Sequence, residues 1–216
     1  MRFRRLFTAC LLALFLAGCS GSRHIIGYDI SASSYSRRAD FGRVCVFRLD
    51  DQRPKQERQG LKGKLLSFSS RDKHFDRPVA QAISELLAKE LAGAGFRITD
   101  KKNSADYLIS GSVKHFQAVM APAKITFLPY LGSVSTLWAK DEFTIALNIY
   151  IKMFDQAGNP LIDKTFDVSS DMKLPTGLLS MARYSRGFNY KLKLLDLALK
   201  DVMDRIRKEV IARAKK

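Results

Sequence analysis

The stretch that decides the fold is FTIALNIYIKM, residues 143–153, in which apolar residues alternate with more polar ones without a break. Successive side chains of a strand point to opposite faces of its sheet, so this period of two predicts a strand with one buried face. Residues 155–160, DQAGNP, have the composition of a hairpin turn. Residues 161–169 supply a return strand, and the sequence therefore predicts two neighbouring antiparallel strands.

Two amphipathic helices are predicted on either side of this hairpin. The first begins near Asp76, a good N-cap residue with Pro78 in the first turn, and stops at Gly93-Ala94-Gly95. The second lies near the C terminus, where apolar steps of three and four predict a helix of about 25 residues. It packs either on the sheet or against a second copy in a coiled coil, and the sheet is favoured. The apolar positions are Val79, Ala82, Ile83, Leu86, Leu87 and Leu91 in the first helix, and Leu192, Leu195, Leu199, Val202, Ile206 and Val210 in the second.

Three shorter segments complete the predicted sheet. Residues 44–49, VCVFRL, are apolar on both alternations, which indicates a strand buried on both faces. Residues 96–98 and 107–113 are further strand candidates. Together the elements predict an α+β two-layer sandwich over residues 43–216, with a four- to five-stranded mixed sheet and two main helices on one face.

The N-terminal residues have the pattern of a lipoprotein signal peptide. Arg2, Arg4 and Arg5 precede an apolar run over residues 6–15, which is shorter than the roughly 20 residues of a membrane span. Leu16-Ala17-Gly18 then provide the small residues that a lipoprotein peptidase needs before Cys19. We predict cleavage of residues 1–18 and lipid attachment at Cys19; the alternative is an ordinary secretory signal in which this cysteine is incidental.

The residue that follows Cys19 bears on the destination of the protein. Ser20 stands where Asp would act as a retention signal, as in lipoproteins exported to the outer membrane. We predict a periplasm-facing, lipid-anchored protein of that membrane. Residues 19–42 are rich in Ser, Gly and Arg with little periodicity, which is typical of a flexible tether.

The cysteines supply no intramolecular disulfide in this interpretation. Cys10 is removed with the signal, Cys19 carries lipid, and Cys45 remains alone in an apolar strand. We expect Cys45 to be a small core residue rather than a reactive thiol.

The formal charge of +16 invites a nucleic-acid partner, but the predicted compartment favours anionic envelope lipids and polymers instead. A solvated basic surface without a dedicated ligand is the other possibility. The 53–73 segment is rich in basic residues, and from it Arg53, Lys62 and Lys64 are candidate partner-binding residues.

An apolar segment, residues 117–141, is the second candidate recognition surface. Pro122, Pro129 and Gly132 exclude one regular helix, and exposed aromatic groups suit a partner groove or a membrane interface. The alternative, that the segment folds back on the core, is equally open. The candidate contact residues are Phe127, Tyr130 and Trp138.

Motifs for catalysis are missing from the sequence. The three histidines, His24, His74 and His115, do not form a metal-binding or nucleophile pattern. The adjacent Asp50 and Asp51 follow a strand, as catalytic carboxylates do, but turn chemistry explains them better. We therefore expect no enzyme activity, no cofactor and no metal site.

Several of these segments occur in an order that resembles the YajG-type lipoproteins. The resemblance is carried by residues 44–49, Asp51-Gln52-Arg53-Pro54, residues 79–91 with Gly95-Phe96, and Ala105-Asp106-Tyr107-Leu108-Ile109. More loosely, the chain is similar to the curli-secretion, lipopolysaccharide-assembly and transport-auxiliary lipoproteins. The resemblance covers residues 43–116 and the hairpin after residue 143, and it implies a non-enzymatic envelope protein that holds partners.

The sequence thus favours a binding or scaffold component of envelope assembly or transport, with an envelope protein or an anionic polymer or lipid as partner. The runner-up is a lipid or lipopolysaccharide carrier, in which residues 117–141 would line a cavity. A hydrolase of envelope polymers is the least favoured of the three classes.

Overall fold

The computed structural model describes residues 23–28, 40–59, 68–121, 140–175 and 180–215. Within these ranges the chain forms one sheet and two long helices, with short turns and a one-turn helix between them. The elements in chain order are β1 (Arg43–Val46), β2 (Asp50–Asp51), α1 (Lys55–Gln59), β3 (Phe68–Ser69), α2 (Val79–Ala94), β4 (Arg97–Ile98), β5 (Tyr107–Ala121), β6 (Lys140–Asp155), β7 (Pro160–Pro175) and α3 (Ser180–Ala214).

The sheet is mixed, with the strand order β4-β1-β5-β6-β7. β4, β1 and β5 run parallel, whereas β5, β6 and β7 are antiparallel. The two-residue strands β2 and β3 also pair with β5, one parallel and the other antiparallel. The predicted α+β class and mixed sheet are confirmed, and β2 and β3 are short additions to the predicted strands.

The β6–β7 hairpin has the register that the alternating sequence predicts, with Ile149 opposite Phe166 and Leu147 opposite Val168. In the turn, the Asp155 carboxylate accepts a hydrogen bond from the Asn159 backbone N–H at 2.8 Å, and Gly158 adopts a φ of +86° that suits glycine. The apolar positions of β6 are all buried on one face, at 6% exposure or less: Phe143, Ile145, Leu147, Ile149, Ile151 and Met153.

The two long helices pack on that face. α2 ends at Gly95, whose φ of +113° is a left-handed C-cap, as predicted. Its N-cap is Pro78 rather than Asp76, whose carboxylate instead accepts a hydrogen bond from Arg77 Nε at 2.8 Å. α3 has 35 residues, longer than predicted because it begins well before Leu192, where the apolar repeat starts. Among the described helices, none is both long enough and apolar enough to cross a bilayer.

The apolar stripe of α3 faces the sheet and does not lie on the solvent-exposed side of the helix. All six of its predicted apolar positions are exposed by 1% or less, and burial of one such side chain is worth about 1.5–3 kcal/mol. The helix packs against β5, β6, β7 and α2. The stripe is therefore part of the core, as the favoured prediction had it, and it is not available as a coiled-coil seam.

Cys45 lies in β1 and is 3% exposed, as expected for a core residue. Burial, together with the charge of Asp100, raises the pKa of its thiol, which keeps the reactive thiolate scarce at neutral pH. We predict that reducing agent leaves the thermal midpoint unchanged, as measured by circular dichroism. We also expect iodoacetamide to modify Cys45 only after denaturation; a large shift of the midpoint would reveal an intermolecular disulfide.

Candidate anchoring and binding sites

Residues 24–28, here called the N-terminal clip, lie against α2 and α3. The clip begins with His24, whose backbone accepts a hydrogen bond from Asp76 N at 3.1 Å and donates one to His74 O at 2.8 Å. The imidazole Nε2 lies 2.9 Å from Asp196 Oδ2 of α3, and the other oxygen of that carboxylate accepts from Gly27 N at 3.3 Å. A single carboxylate of α3 thus holds two residues of the clip.

The second half of the clip is fixed by a buried glutamate. Tyr28 donates its hydroxyl proton to Glu90 of α2 at 2.7 Å, and Arg207 of α3 donates to the same carboxylate at 3.1 Å. Between these contacts Ile26 enters the core with 7% exposure. The clip therefore joins both helices through polar and apolar contacts.

Of the predicted tether, residues 19–42, the structure describes residues 23–28 and 40–42, and these make contacts with the domain that a free tether would lack. Residues 24–28 pack on the domain, and Phe41 stacks on Phe96 with ring centroids 5.1 Å apart. The composition of this region suggested a tether because it lacks a period. The described residues 24–28 and 41 are held instead by partners that are distant in the sequence.

Arg53, one of the candidate partner-binding residues, lies inside the fold. Its side chain is 1% exposed and its guanidinium donates to Asp51 at 2.8 and 2.9 Å and to Asp72 at 2.8 Å. Five guanidinium donors in a fixed fork suit this two-carboxylate arrangement. Arg53 therefore joins β2 to the turn at Asp72–His74, and we do not include it in a binding surface. Lys62 and Lys64 lie outside the described residues.

The Arg53 network makes the stability of the fold depend on pH in the acidic range. Desolvation acts to raise the pKa of Asp51, but the hydrogen bonds and charge of Arg53 outweigh it and lower the pKa below its usual value. Because the folded-state pKa is depressed, the ion pair stabilises the fold above the unfolded pKa of about 3.9 and loses its contribution as pH falls below it. We predict a smaller loss of thermal midpoint between pH 5 and pH 3 in Asp51→Asn than in the parent chain. Equal acid sensitivity of the two proteins would contradict this.

Glu57 is a second buried charge, and the sequence pattern did not predict its burial. It is 4% exposed and accepts a hydrogen bond from the Phe116 backbone N–H at 2.6 Å, with His115 Nδ1 at 3.1 Å. The pairing of β5 with β6 shifts register between Val113 and His115. The carboxylate therefore satisfies backbone at a β-bulge, where the ladder is locally disrupted.

We predict that Glu57→Ala lowers the free energy of unfolding by about 1–3 kcal/mol, because it leaves the buried Phe116 N–H without its acceptor. Glu57→Gln keeps an acceptor oxygen and is expected to cost less. Urea denaturation monitored by circular dichroism measures both variants. Gln56→Ala, at an exposed neighbouring position, is the matched control. Equal midpoints for Glu57→Ala and this control would contradict the assignment.

The structure places β3, which lies within the basic segment 53–73, beside the two ends of the apolar segment 117–141. β3, which follows the basic residues up to position 67, pairs with the end of β5 through Phe68 and Met120. The same end of β5 pairs with the start of β6 through Ala121 and Glu142. β5 therefore ends at Ala121 and β6 begins at Lys140 at the end of the sheet where β3 pairs. Phe127, Tyr130 and Trp138 themselves lie outside the described residues.

Two open grooves occur in the described part of the chain. One, of about 460 Å³, runs between β7 and α3, and the other, of about 280 Å³, lies between β2 and the start of α2. Both are lined in part by charged side chains, unlike the mostly apolar pocket typical of small-molecule sites. The charged lining residues are Lys164, Asp167, Arg205, Lys208 and Glu209 in the first groove, and Arg48, Asp50 and Asp51 in the second.

Comparison with known proteins finds no matching family model and no matching curated protein. One similar solved structure is a DUF330 protein from Xanthomonas campestris, with 10% identity over 89% of this chain and 96% of that chain and a TM-score of 0.41. A minor lipoprotein from Acinetobacter baumannii has 11% identity over 77% of this chain and 92% of that chain, with a TM-score of 0.34. An uncharacterized lipoprotein from Nitrosomonas europaea has 13% identity over 84% of this chain and 95% of that chain, with a TM-score of 0.35. At these identities and TM-scores the likeness assigns neither a family nor a function to this chain. The YajG-type resemblance accordingly stays a prediction.

Proposed function

We propose that the protein is a lipid-anchored, periplasm-facing lipoprotein of the outer membrane that serves as a non-enzymatic binding or scaffold component of the cell envelope. The anchor is supported by the basic and apolar signal pattern ending in Leu16-Ala17-Gly18-Cys19. Ser20, in place of a retention aspartate, supports the outer membrane as destination.

The observation that carries the binding role is the adjacency of β3, β5 and β6 at one end of the sheet. Phe68 pairs with Met120, and Ala121 pairs with Glu142. The basic segment with Lys62 and Lys64 and the aromatic segment with Trp138 are therefore connected to the same end of a well-packed core. A scaffold that presents two chemically different segments from one rigid edge is well suited to holding a partner.

The composition of the two segments indicates the chemistry of that partner. Lysines next to aromatic groups suit a surface that combines anionic and apolar character. We propose an envelope protein with an acidic rim, or an anionic envelope polymer or lipid, as the bound component.

In-cell crosslinking tests the proposal. A photoreactive residue replaces Trp138, and a matched control replaces Gln156, which is exposed in the β6–β7 turn at the opposite end of the hairpin. We expect a discrete crosslinked envelope component from position 138 and none from position 156. A crosslink to lipid or lipopolysaccharide alone would identify the bound component as an anionic lipid, and it would favour the carrier function if that lipid stays with the protein outside the membrane. Equal products from the two positions would contradict a binding site at this end.

A further inference from the structure

The length of chain between the lipid and the clip limits how far the domain can stand from the membrane. Cys19 is five residue steps from His24, a reach of at most about 17 Å for a fully extended chain. α3 has 35 residues and is therefore about 52 Å long. While the clip holds His24 on the domain, the anchor is short compared with the domain, and the surface around His24 must lie close to the bilayer.

That surface carries the two most exposed of the large apolar side chains described. Ile25 is 68% exposed and Leu197 is 62% exposed, against 39% for both Phe47 and Ile98. Ile25 follows His24 in the chain and Leu197 follows Asp196, so each is the direct neighbour of one partner in the His24–Asp196 contact. A single exposed apolar residue needs no explanation, but these two flank His24, where the chain that comes from Cys19 reaches the domain.

The charges around this pair have the sign that phospholipid head groups attract. Lys193 and Lys200 are exposed at four residues before and three residues after Leu197, positions that share one face of a helix. The nearest acidic side chain, Asp196, is engaged by the clip, and Asp201 pairs with Arg205 at 3.3 Å. The face thus presents basic groups around an apolar centre, as interfacial helices do.

From these observations we propose that Ile25, Lys193, Leu197 and Lys200 form a docking face for the phospholipid bilayer that holds Cys19. The proposal rests on the proposed lipid anchor and specifies how that anchor orients the domain. The helices lie on the head groups, and the clip keeps them there. The opposite sheet face, which includes Tyr150, Asp163 and Ser169, is then directed into the periplasm.

Depth-dependent quenching tests the proposal on the full lipidated protein. The protein is reconstituted in vesicles of phosphatidylethanolamine and phosphatidylglycerol with brominated acyl chains, with a fluorophore on Leu197→Cys or Ile25→Cys. Ser169→Cys, exposed on the face of β7 away from the helices, is the matched control. The buried Cys45 does not compete for the label.

We expect quenching at positions 197 and 25 to be several-fold stronger than at position 169, and to fall in an Asp196→Ala background, which removes the carboxylate that holds His24 and Gly27. Equal quenching at positions 197 and 169 would overturn the docking face, and undiminished quenching after Asp196→Ala would overturn the role of the Asp196 contact in holding that face on the bilayer. Mass spectrometry of the N-terminal peptide separates the two proposals. Missing acylation at Cys19 defeats the anchor and this inference together, whereas acylated protein with uniform quenching defeats this inference alone.

Discussion

A Cys19→Ala variant is expected to lose lipid attachment completely and to remain uncleaved after residue 18. The thiol is the only side chain next to the predicted cleavage site that can form the diacylglyceryl thioether, and the lipoprotein peptidase requires that modification. Metabolic labelling with an alkynyl fatty acid, followed by electrophoresis, measures incorporation and cleavage together. We expect labelled, shortened protein from the parent chain and unlabelled, full-length protein from the variant.

Cys10→Ala is the matched control, because it removes a cysteine from the signal region without touching the predicted attachment site. It is expected to label and to be cleaved like the parent chain. Equal labelling of Cys19→Ala and the parent would refute the anchor. The parent should also stay with membranes in high salt, because acyl burial contributes about 0.8 kcal/mol per methylene and two or three chains make release negligible.

Sorting of the protein between the inner and outer membranes is tested by a separate variant. Ser20→Asp introduces the retention aspartate, so we expect the lipidated protein to move from the outer-membrane to the inner-membrane fraction in density-gradient separation. Ser22→Asp adds the same charge two positions later and serves as the control. An unchanged distribution for both variants would contradict the proposed sorting.

The elements that the sequence predicted well are those with an internal period. The alternation from Ile145 to Met153 and the three- and four-residue steps from Leu192 to Val210 each place their apolar side chains against one core. Such patterns are local, because the geometry of a strand or a helix alone determines which side chains share a face. The hairpin, α2 and the buried stripe of α3 could therefore be predicted without knowledge of their partners.

The clip could not be predicted in this way. Residues 24–28 have no period, and their order depends on Phe75, Glu90 and Asp196, which are far away in sequence. Tertiary contacts of this kind leave no mark on local composition. A polar, glycine-containing stretch after a lipobox is consequently indistinguishable, in sequence, from a free linker.

Buried charges are the second class of feature that sequence reasoning missed. Arg53 and Glu57 lie in a segment whose basic composition suggested an exposed loop, yet their side chains are 1% and 4% exposed. Each is satisfied by several hydrogen bonds, which is the condition under which a charge can be buried. The Asp-x-Arg spacing at Asp51 and Arg53 was the available signal, since a strand-end carboxylate two residues before an arginine suits a local pair.

Replacement of Phe127, Tyr130 and Trp138 by serine is expected to leave the domain folded and to abolish partner binding. Aromatic groups at the centre of an interface typically contribute about 2 kcal/mol or more each. Three such losses approach about 6 kcal/mol, or roughly a 10⁴-fold loss of affinity. Crosslinking from position 135 in the same segment measures binding, and a circular-dichroism melt measures folding.

The same triple variant separates this expectation from the alternative that residues 117–141 fold back on the core. Removal of three large packed side chains would then cost about 3–5 kcal/mol apiece, which is comparable to the whole stability of about 5–15 kcal/mol typical of a domain. A collapsed or absent melting transition would therefore assign the segment to the core and eliminate it as a contact surface. Ser133→Ala with Thr136→Ala changes the same segment without touching an aromatic group. This control should melt and crosslink like the parent, so a native-like melt with lost crosslinking in the aromatic variant alone identifies the contact residues.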